Sequence, residues 1–322
     1  MAAEVSSRSL PTCRHRTSKL LKFLLRPLFA AIGYTLFRLQ NSKIRGYLFA
    51  FFRQRHPERF LCVDQFQFPY IVHTSDNGTS REVYRCGQLD LEKFQRVVEI
   101  LSKKVMANRR VLLDVGANLG TICIPLVGTG QFKRAIAVEP DPLNLRLLRT
   151  NIAFNELQEH ILVLERAAAD DDNRKLLLEL SAVNTGDHRI AVSKAPGLHH
   201  EENRNRIEVQ SITIDSIVES DTAHAEEFLI WMDVQGYEGW ALTGAKKTLA
   251  CTPPLVLEFW PYGMRRAGSF GPLQKSVAPY KYFVDLSDPG ATRLAIDDLP
   301  VLYNQIGENG DYTDLILLPD EE

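Results

Sequence analysis

The sequence is poor in cysteine, and it places the few it has badly for metal or disulfide chemistry. Cys13, Cys62, Cys86, Cys123 and Cys251 are scattered, odd in number, and never form a C-x-x-C pair. That pattern points away from a zinc site and from a disulfide framework, and it fits a reducing compartment. No H-x-x-x-H or clustered ligand pattern occurs, so no metal site is expected. The G-x-x-x-x-G-K-[ST] loop that cradles phosphates is absent, and so is G-x-G-x-x-G. A long uninterrupted apolar run is missing as well. The most apolar stretch, Leu20 to Leu39, is broken by Lys22, Arg26 and Arg38. Its charge-free part, Pro27 to Phe37, would be about 16 Å long as a helix, against a bilayer core of about 30 Å. A spanning helix is therefore not expected, and no small-x-small cleavage site follows the run.

What remains is ordinary globular composition, 322 residues with 45% hydrophobic and 24% charged, ample for a large core. The net charge of −2 conceals a split. Residues 1–60 carry twelve basic side chains against Glu4 and Glu58, a balance of +10 that leaves −12 for the remainder. Lys19, Lys22 and Arg26 fall on one helical face, and the aromatic cluster Tyr47 to Phe52 is flanked by Arg45 and Arg53. Such an arm suits peripheral contact with the inner face of an anionic membrane by a cytoplasmic protein, or a helical cap packed on the main domain. Both readings stay open. A nucleic-acid arm is not expected, because leucine and phenylalanine outnumber groups able to contact phosphate.

Three units follow: a basic apolar extension over 1–60, a small hairpin-plus-helix module over 61–107, and a main domain over 108–322. In the module, Phe68 to His73 and Arg81 to Arg85 read as strands joined at Asn77-Gly78, a strong hairpin signal. Leu89 to Lys104 has helical periodicity. In the main domain, strands at Arg109–Asp114, Ala135–Glu139, Ile161–Ala167, Phe228–Asp233 and Leu255–Phe259 alternate with helices at Leu119–Val127, Pro142–Asn155 and Tyr237–Leu249. Asp141 is placed as the cap of the second helix, with proline at its first position. Lys175–Leu180 and Arg206–Thr213 form an excursion around the polar, His-rich loop Val183 to Asn205. Tyr280–Asp285 and Tyr312–Leu317 supply late strands. The pattern is a three-layer α/β domain, Rossmann-like, with a mostly parallel sheet.

The chemistry lies at the carboxyl ends of those strands. Asp114 is followed by Gly116, Ala117, Asn118 and Gly120, a tight turn into a helix. The carboxylates Glu139, Asp233 and Glu258 end later strands, which makes an acidic crevice suited to a cationic ligand. Glu139 ends the next strand, where an acid accepts hydrogen bonds from both ribose hydroxyls. Asn118 replaces the glycine that lets a backbone approach a pyrophosphate. That argues against NAD and for S-adenosylmethionine.

The segments DVGANLG (Asp114 to Gly120), AVEPDPLNLRLLRTN (Ala137 to Asn151), RAAADD (Arg166 to Asp171), ITID (Ile212 to Asp215), MDVQGYE (Met232 to Glu238), LTGA (Leu242 to Ala245) and PLVLEF (Pro254 to Phe259) together resemble the FkbM family of methyltransferases. The resemblance covers roughly residues 108–260. It implies a class I methyltransferase fold with a seven-stranded sheet, S-adenosylmethionine as cofactor, and methylation of oxygen on a sugar-like, lipid-linked or natural-product acceptor. It implies that Asp114, Gly116, Ala117, Asn118 and Gly120 line the methionine end of the cofactor, that Glu139 holds the ribose, and that the backbone at Ala167 and Ala168 faces the adenine. Asp233 would lie beside the transferable methyl as first choice of base, with Glu258 second. Gln235 stands where many members have glutamate, which removes one carboxylate. The Pro-Pro-aromatic signature of amino-group methylases is missing at Pro253-Pro254-Leu255. His188, His199 and His200 either reach a substrate or belong to a solvated loop. Two other functions compete. One is an NAD-dependent oxidoreductase on a similar sheet, which Asn118 disfavours. The other is a catalytically silent, membrane-associated binding protein.

Overall fold

The computed structural model describes residues 42–101, 103–193 and 195–318; the apolar stretch Leu20 to Leu39 lies outside them. Among the described residues no helix is long and apolar enough to cross a membrane. The first strands, β1 (Phe60–Val63) and β2 (Tyr70–His73), pair antiparallel. The main domain contributes β3 (Val111–Val115), β4 (Arg134–Val138), β5 (Ile161–Leu164), an excursion of β6 (Ala167–Ala168), β7 (Lys175–Leu180), β8 (Arg189–Ile190) and β9 (Asn205–Ile212), then β10 (Phe228–Met232), β11 (Leu255–Phe259), β12 (Tyr282–Asp285), β13 (Leu294–Ala295) and β14 (Thr313–Leu318).

The central sheet has the order β13-β12-β14-β11-β10-β3-β4-β5. Strands β5, β4, β3, β10 and β11 run parallel, and β14 turns antiparallel against β11. It has eight strands rather than seven. The addition is β13, a two-residue edge strand paired to β12, too short to leave a periodic signal in the sequence. Strands β3, β10 and β11 are buried at every position, as parallel strands with both faces covered must be. Alternation divides them between two cores. Leu112, Leu229, Trp231 and Val256 face one, while Leu113, Ile230, Met232 and Leu257 face the other. The chain winds outward from β3 through β4 to β5, and later from β10 to β11 on the other side. The direction of winding therefore reverses between β3 and β10, and a crevice opens at their carboxyl ends.

Three local expectations change. Arg81 to Arg85 is helical, inside Thr79–Cys86, and β2 pairs instead with β1. The Ser75-Asp76-Asn77-Gly78 run is the start of that helix rather than a hairpin turn. The buried Asp76 carboxylate accepts from the N–H groups of Gly78 (2.9 Å) and Ser80 (2.6 Å), and from Thr185 at N–H (3.2 Å) and Oγ1 (3.1 Å). Asp76→Ala is expected to cost about 2 kcal/mol in a urea melt, since the first-turn donors and Thr185 lose their acceptor together; an unchanged midpoint would contradict this role. Second, the helix after the glycine loop begins at Cys123, not Leu119. Third, Tyr237 to Leu249 is two helices, Glu238–Thr243 and Lys246–Ala250. They part at Gly244, where a Cβ would come within 2.1 Å of the Ala169 carbonyl oxygen.

Candidate active site

The strand-to-loop turn after β3 is built by close approach. Gly116 has φ +90°, and a Cβ on it would fall 1.9 Å from the Asp233 carbonyl oxygen. The N–H groups of Gly116 and Ala117 both donate to the Val138 carbonyl (2.9 and 3.1 Å), folding the loop over the end of β4. Asn118 takes a left-handed φ of 49°, which asparagine tolerates. Its N–H donates to Glu139 Oε2 at 2.9 Å, and the Asp141 N–H donates to Glu139 Oε1 at 2.9 Å. Asp141 caps Pro142–Phe154 by accepting from Leu143 and Asn144. Glu139 is only 4% exposed and Asp114 only 2%. Burial raises Glu139 to about 8 and Asp114 to about 7.

These groups open on a cavity of about 440 Å³, of the size small-molecule sites have. Asp114, Gly116, Ala117, Asn118, Glu139, Ala167, Ala168, Asp233 and Glu258 all line it. Gly120 does not. Its φ is +85°, and a Cβ there would meet Ile124 Cδ1 at 2.7 Å and Leu148 Cδ1 at 2.9 Å, so it turns the loop and packs behind the wall. Ala167 and Ala168 reach the cavity by an unexpected route. The strand expected over Ile161–Ala167 stops at Leu164, and the two alanines pair with Ser211 and Ile212 in the excursion sheet.

Asp233 and Glu258 are joined by a side chain that the sequence reading treated only as a lost carboxylate. Gln235, held at φ 56°, donates from Nε2 to Asp233 Oδ1 (2.7 Å) and to Glu258 Oε2 (3.0 Å). The turn is fixed from behind by the buried Glu238, which accepts from the N–H groups of Val234 (3.1 Å) and Gly236 (3.2 Å). Burial separates the two carboxyls. Asp233 is pushed up to about 6, moderated by the Gln235 hydrogen bond, while Glu258 is driven well above its usual range by burial and then by the Asp233 charge. Asp233 is therefore the more acidic of the two and Glu258 the one that holds its proton longer, a division that suits Asp233 as the base.

A cation from outside the resembling segment completes this corner. Lys93 Nζ lies 2.9 Å from Asp90 Oδ1 and 2.7 Å from Asp314 Oδ2. Asp314 stands opposite Glu258 in the β11–β14 ladder. The Lys93 charge favours ionisation of Asp233 and Glu258. Lys93→Met is expected to move the Asp233 midpoint upward from about 6, because a favourable charge leaves while Asp90 and Asp314 stay. Carbon-13 NMR titration, with Asp233→Asn for assignment, reads the shift; an unmoved midpoint would remove Lys93 from this role.

The excursion forms the facing wall. Arg189 is buried between Asp187 and Glu201, with its guanidinium carbon 4.7 Å from the Trp260 ring centre, and Arg204 also pairs with Asp187. His188 and His199 line the cavity, whereas the His200 side chain is 84% exposed. His188 Nδ1 accepts from the Ser181 N–H at 3.0 Å, and burial lowers its basicity. The ring is therefore neutral, with its proton on Nε2.

Seven carboxyl side chains line the cavity beside Lys93, Arg166 and Arg189, and a cationic ligand among them would favour their ionised forms. Asn118 Oδ1 and Asn144 Oδ1 are buried without a hydrogen-bond partner. Both belong to lining residues, so the wall presents acceptors with capacity to spare. The Glu139 carboxylate adds more: Oε2 has accepted one N–H and can take another donor, while Oε1 also accepts a long contact from Asn144 Nδ2 at 3.5 Å that a stronger donor can displace.

Residues 114–271 match the sequence model of the methyltransferase FkbM domain. No curated protein matches the chain. Among solved structures, the chain is similar to a methyltransferase FkbM from Methylobacillus flagellatus KT, with 17% identity, a TM-score of 0.39, and coverage of 74% of this chain and 60% of that one. The chain thus spans less than two thirds of that structure's length. It is also similar to an M. jannaschii tRNA methyltransferase (11% identity, TM-score 0.40, 82% and 58% covered) and to P. horikoshii TYW2 in complex with MeSAdo (12%, 0.38, 81% and 70%).

Proposed function

We propose that the chain, which matches the methyltransferase FkbM domain over residues 114–271, works with S-adenosylmethionine and passes the methyl group to a hydroxyl oxygen of a small sugar-like, lipid-linked or natural-product acceptor. Supporting this is the pair of cavity carboxyl groups bridged by the Gln235 amide, of which Asp233 is the more acidic.

The bound cofactor supplies an electrophilic methyl on a sulfonium, and the protein supplies alignment and electrostatics. Asp114 and Asn118, with the backbone of Gly116 and Ala117, would hold its amino-acid end. Glu139 would accept from the ribose hydroxyls, and the Ala167–Ala168 wall would meet the adenine. A hydroxyl is a poor nucleophile until its proton leaves. Asp233 accepts that proton as the oxygen attacks, and its acidity near 6 keeps it ionised at neutral pH. The Gln235 amide holds the Asp233 carboxylate in place. Glu258, the less acidic of the pair, would donate to an acceptor oxygen when it carries a proton.

Transfer of isotopically labelled methyl from S-adenosylmethionine to fractionated cell extract, followed by identification of the labelled compound, tests the reading. Label on an ether oxygen is expected. Label on nitrogen, or S-adenosylmethionine turnover without any labelled product, would overturn it.

A further inference from the structure

The helix Ser42–Arg55 has two faces of opposite character. Inward, Arg45, Gly46 and Phe49 are buried. Arg45 Nε donates to the Tyr84 carbonyl at 2.6 Å, its guanidinium carbon lies 4.6 Å from the Tyr84 ring centre and 5.1 Å from that of Phe66, and the Phe49 ring lies 5.5 Å from Tyr84. These contacts fix the helix on Thr79–Cys86, whose Thr79 and Glu82 line the cavity. Outward, Tyr47 is 78% exposed and Phe51 is 53% exposed. They stand four residues apart, on one face. Arg55 follows at the next such step, with its guanidinium carbon 5.8 Å from the Phe51 ring centre. The helix is thus firmly seated and offers water an aromatic stripe ending in a cation.

We propose that this outward face docks the protein on an anionic membrane surface. Tyrosine and phenylalanine are suited to the boundary between headgroups and acyl chains, and arginine beside them meets lipid phosphate or carboxylate. Charge decides the sign of the surface. At the end of the helix and just beyond it, Arg53, Arg55 and Arg59 outnumber Glu58, and residues 1–60 together carry +10 against −12 for the rest. An anionic leaflet attracts this end and repels the acidic body, so one orientation is favoured. In that orientation the helix next to the lipid is the one packed on the Thr79–Cys86 wall of the cavity. The proposal stands whether or not the acceptor of the methyl group is a lipid.

The test uses the full chain in flotation with vesicles of phosphatidylcholine containing phosphatidylserine, against phosphatidylcholine alone. Wild type is expected to float with the anionic vesicles only, and less as salt rises. Tyr47→Ser/Phe51→Ser removes the aromatic stripe and is expected to lower partitioning more than about tenfold. Arg55→Glu/Arg59→Glu is expected to do so on anionic vesicles as well. Circular dichroism and S-adenosylmethionine calorimetry should be unchanged in both variants, because all four substituted residues are exposed; this separates failure of docking from failure of the methyltransferase reading. The proposal is overturned if wild type stays down with the anionic vesicles, for instance because residues 1–41 cover this face. It is also overturned if wild type floats equally with neutral vesicles, if the Tyr47/Phe51 variant floats like wild type, or if RNA and not vesicles retains the protein.

Discussion

Glu139→Ala is expected to weaken S-adenosylmethionine binding by about 3 kcal/mol, more than about a hundredfold in Kd, through the loss of two hydrogen bonds to a charged acceptor. The side chain does two things at once. It anchors the Asn118 and Asp141 N–H groups, and it can accept hydroxyl donors at Oε2 and, in place of the 3.5 Å contact from Asn144, at Oε1. Glu139→Gln retains one acceptor oxygen and is expected to fall between wild type and alanine. The pH dependence has a definite sign. Burial holds Glu139 at about 8 in the free protein, so ionisation precedes strong acceptance from the ribose. Wild-type affinity should therefore rise from pH 6 towards pH 9, and the alanine variant should lack that part of the rise. Isothermal calorimetry across pH measures both. Wild-type affinity in the alanine variant, or an affinity that falls with rising pH, would contradict the assignment.

Asp233→Asn is expected to lower the rate of methyl transfer by about a hundred- to ten-thousandfold, the usual worth of a general base, with cofactor affinity changing far less. The base acts only when ionised. Its carboxyl lies near 6, so the wild-type rate should fall about tenfold per pH unit below that value and level off above it. In the asparagine variant the residual rate should lose this limb. Glu258→Gln should be milder, because Glu258 is the less acidic of the pair and glutamine still offers a donor. Single-turnover rates with the identified acceptor decide the matter. An Asp233→Asn enzyme with the wild-type pH profile would move the base elsewhere.

Much of the main domain was legible because its signals are local. Strands β3, β10 and β11 read as apolar runs since both faces are covered, and Asp141-Pro142 marks a helix start that the structure reproduces at the residue. The failures share the opposite property. Asp76 starts a helix rather than a hairpin, and it is held in that role by Thr185, distant in sequence. Gly120 and Gly116 look alike in a sequence, yet one packs behind the cavity wall and the other faces the cavity. Gln235 reads as a missing carboxylate until its amide is placed between Asp233 and Glu258. Lys93 and Asp314 carry no mutual signal; only the antiparallel return of β14 brings Asp314 beside Glu258 and within reach of Lys93.

The depth at which the acids are set has an outcome for the surrounding solution. Asp114, Glu139, Asp233 and Glu238 hold their protons to about 7, 8, 6 and 7. Each is raised above its value in the unfolded chain. Their contribution to stability is therefore full below about pH 4 and is lost as pH rises through those values. A cation entering the crevice would lower the three that line it, Asp114, Glu139 and Asp233, together. On the proposed reading, loading the cofactor is expected to expel hydrogen ions, and the heat of that step would take on the ionisation enthalpy of whatever buffer receives them. The crevice behaves as an ion exchanger, trading hydrogen ions for a sulfonium.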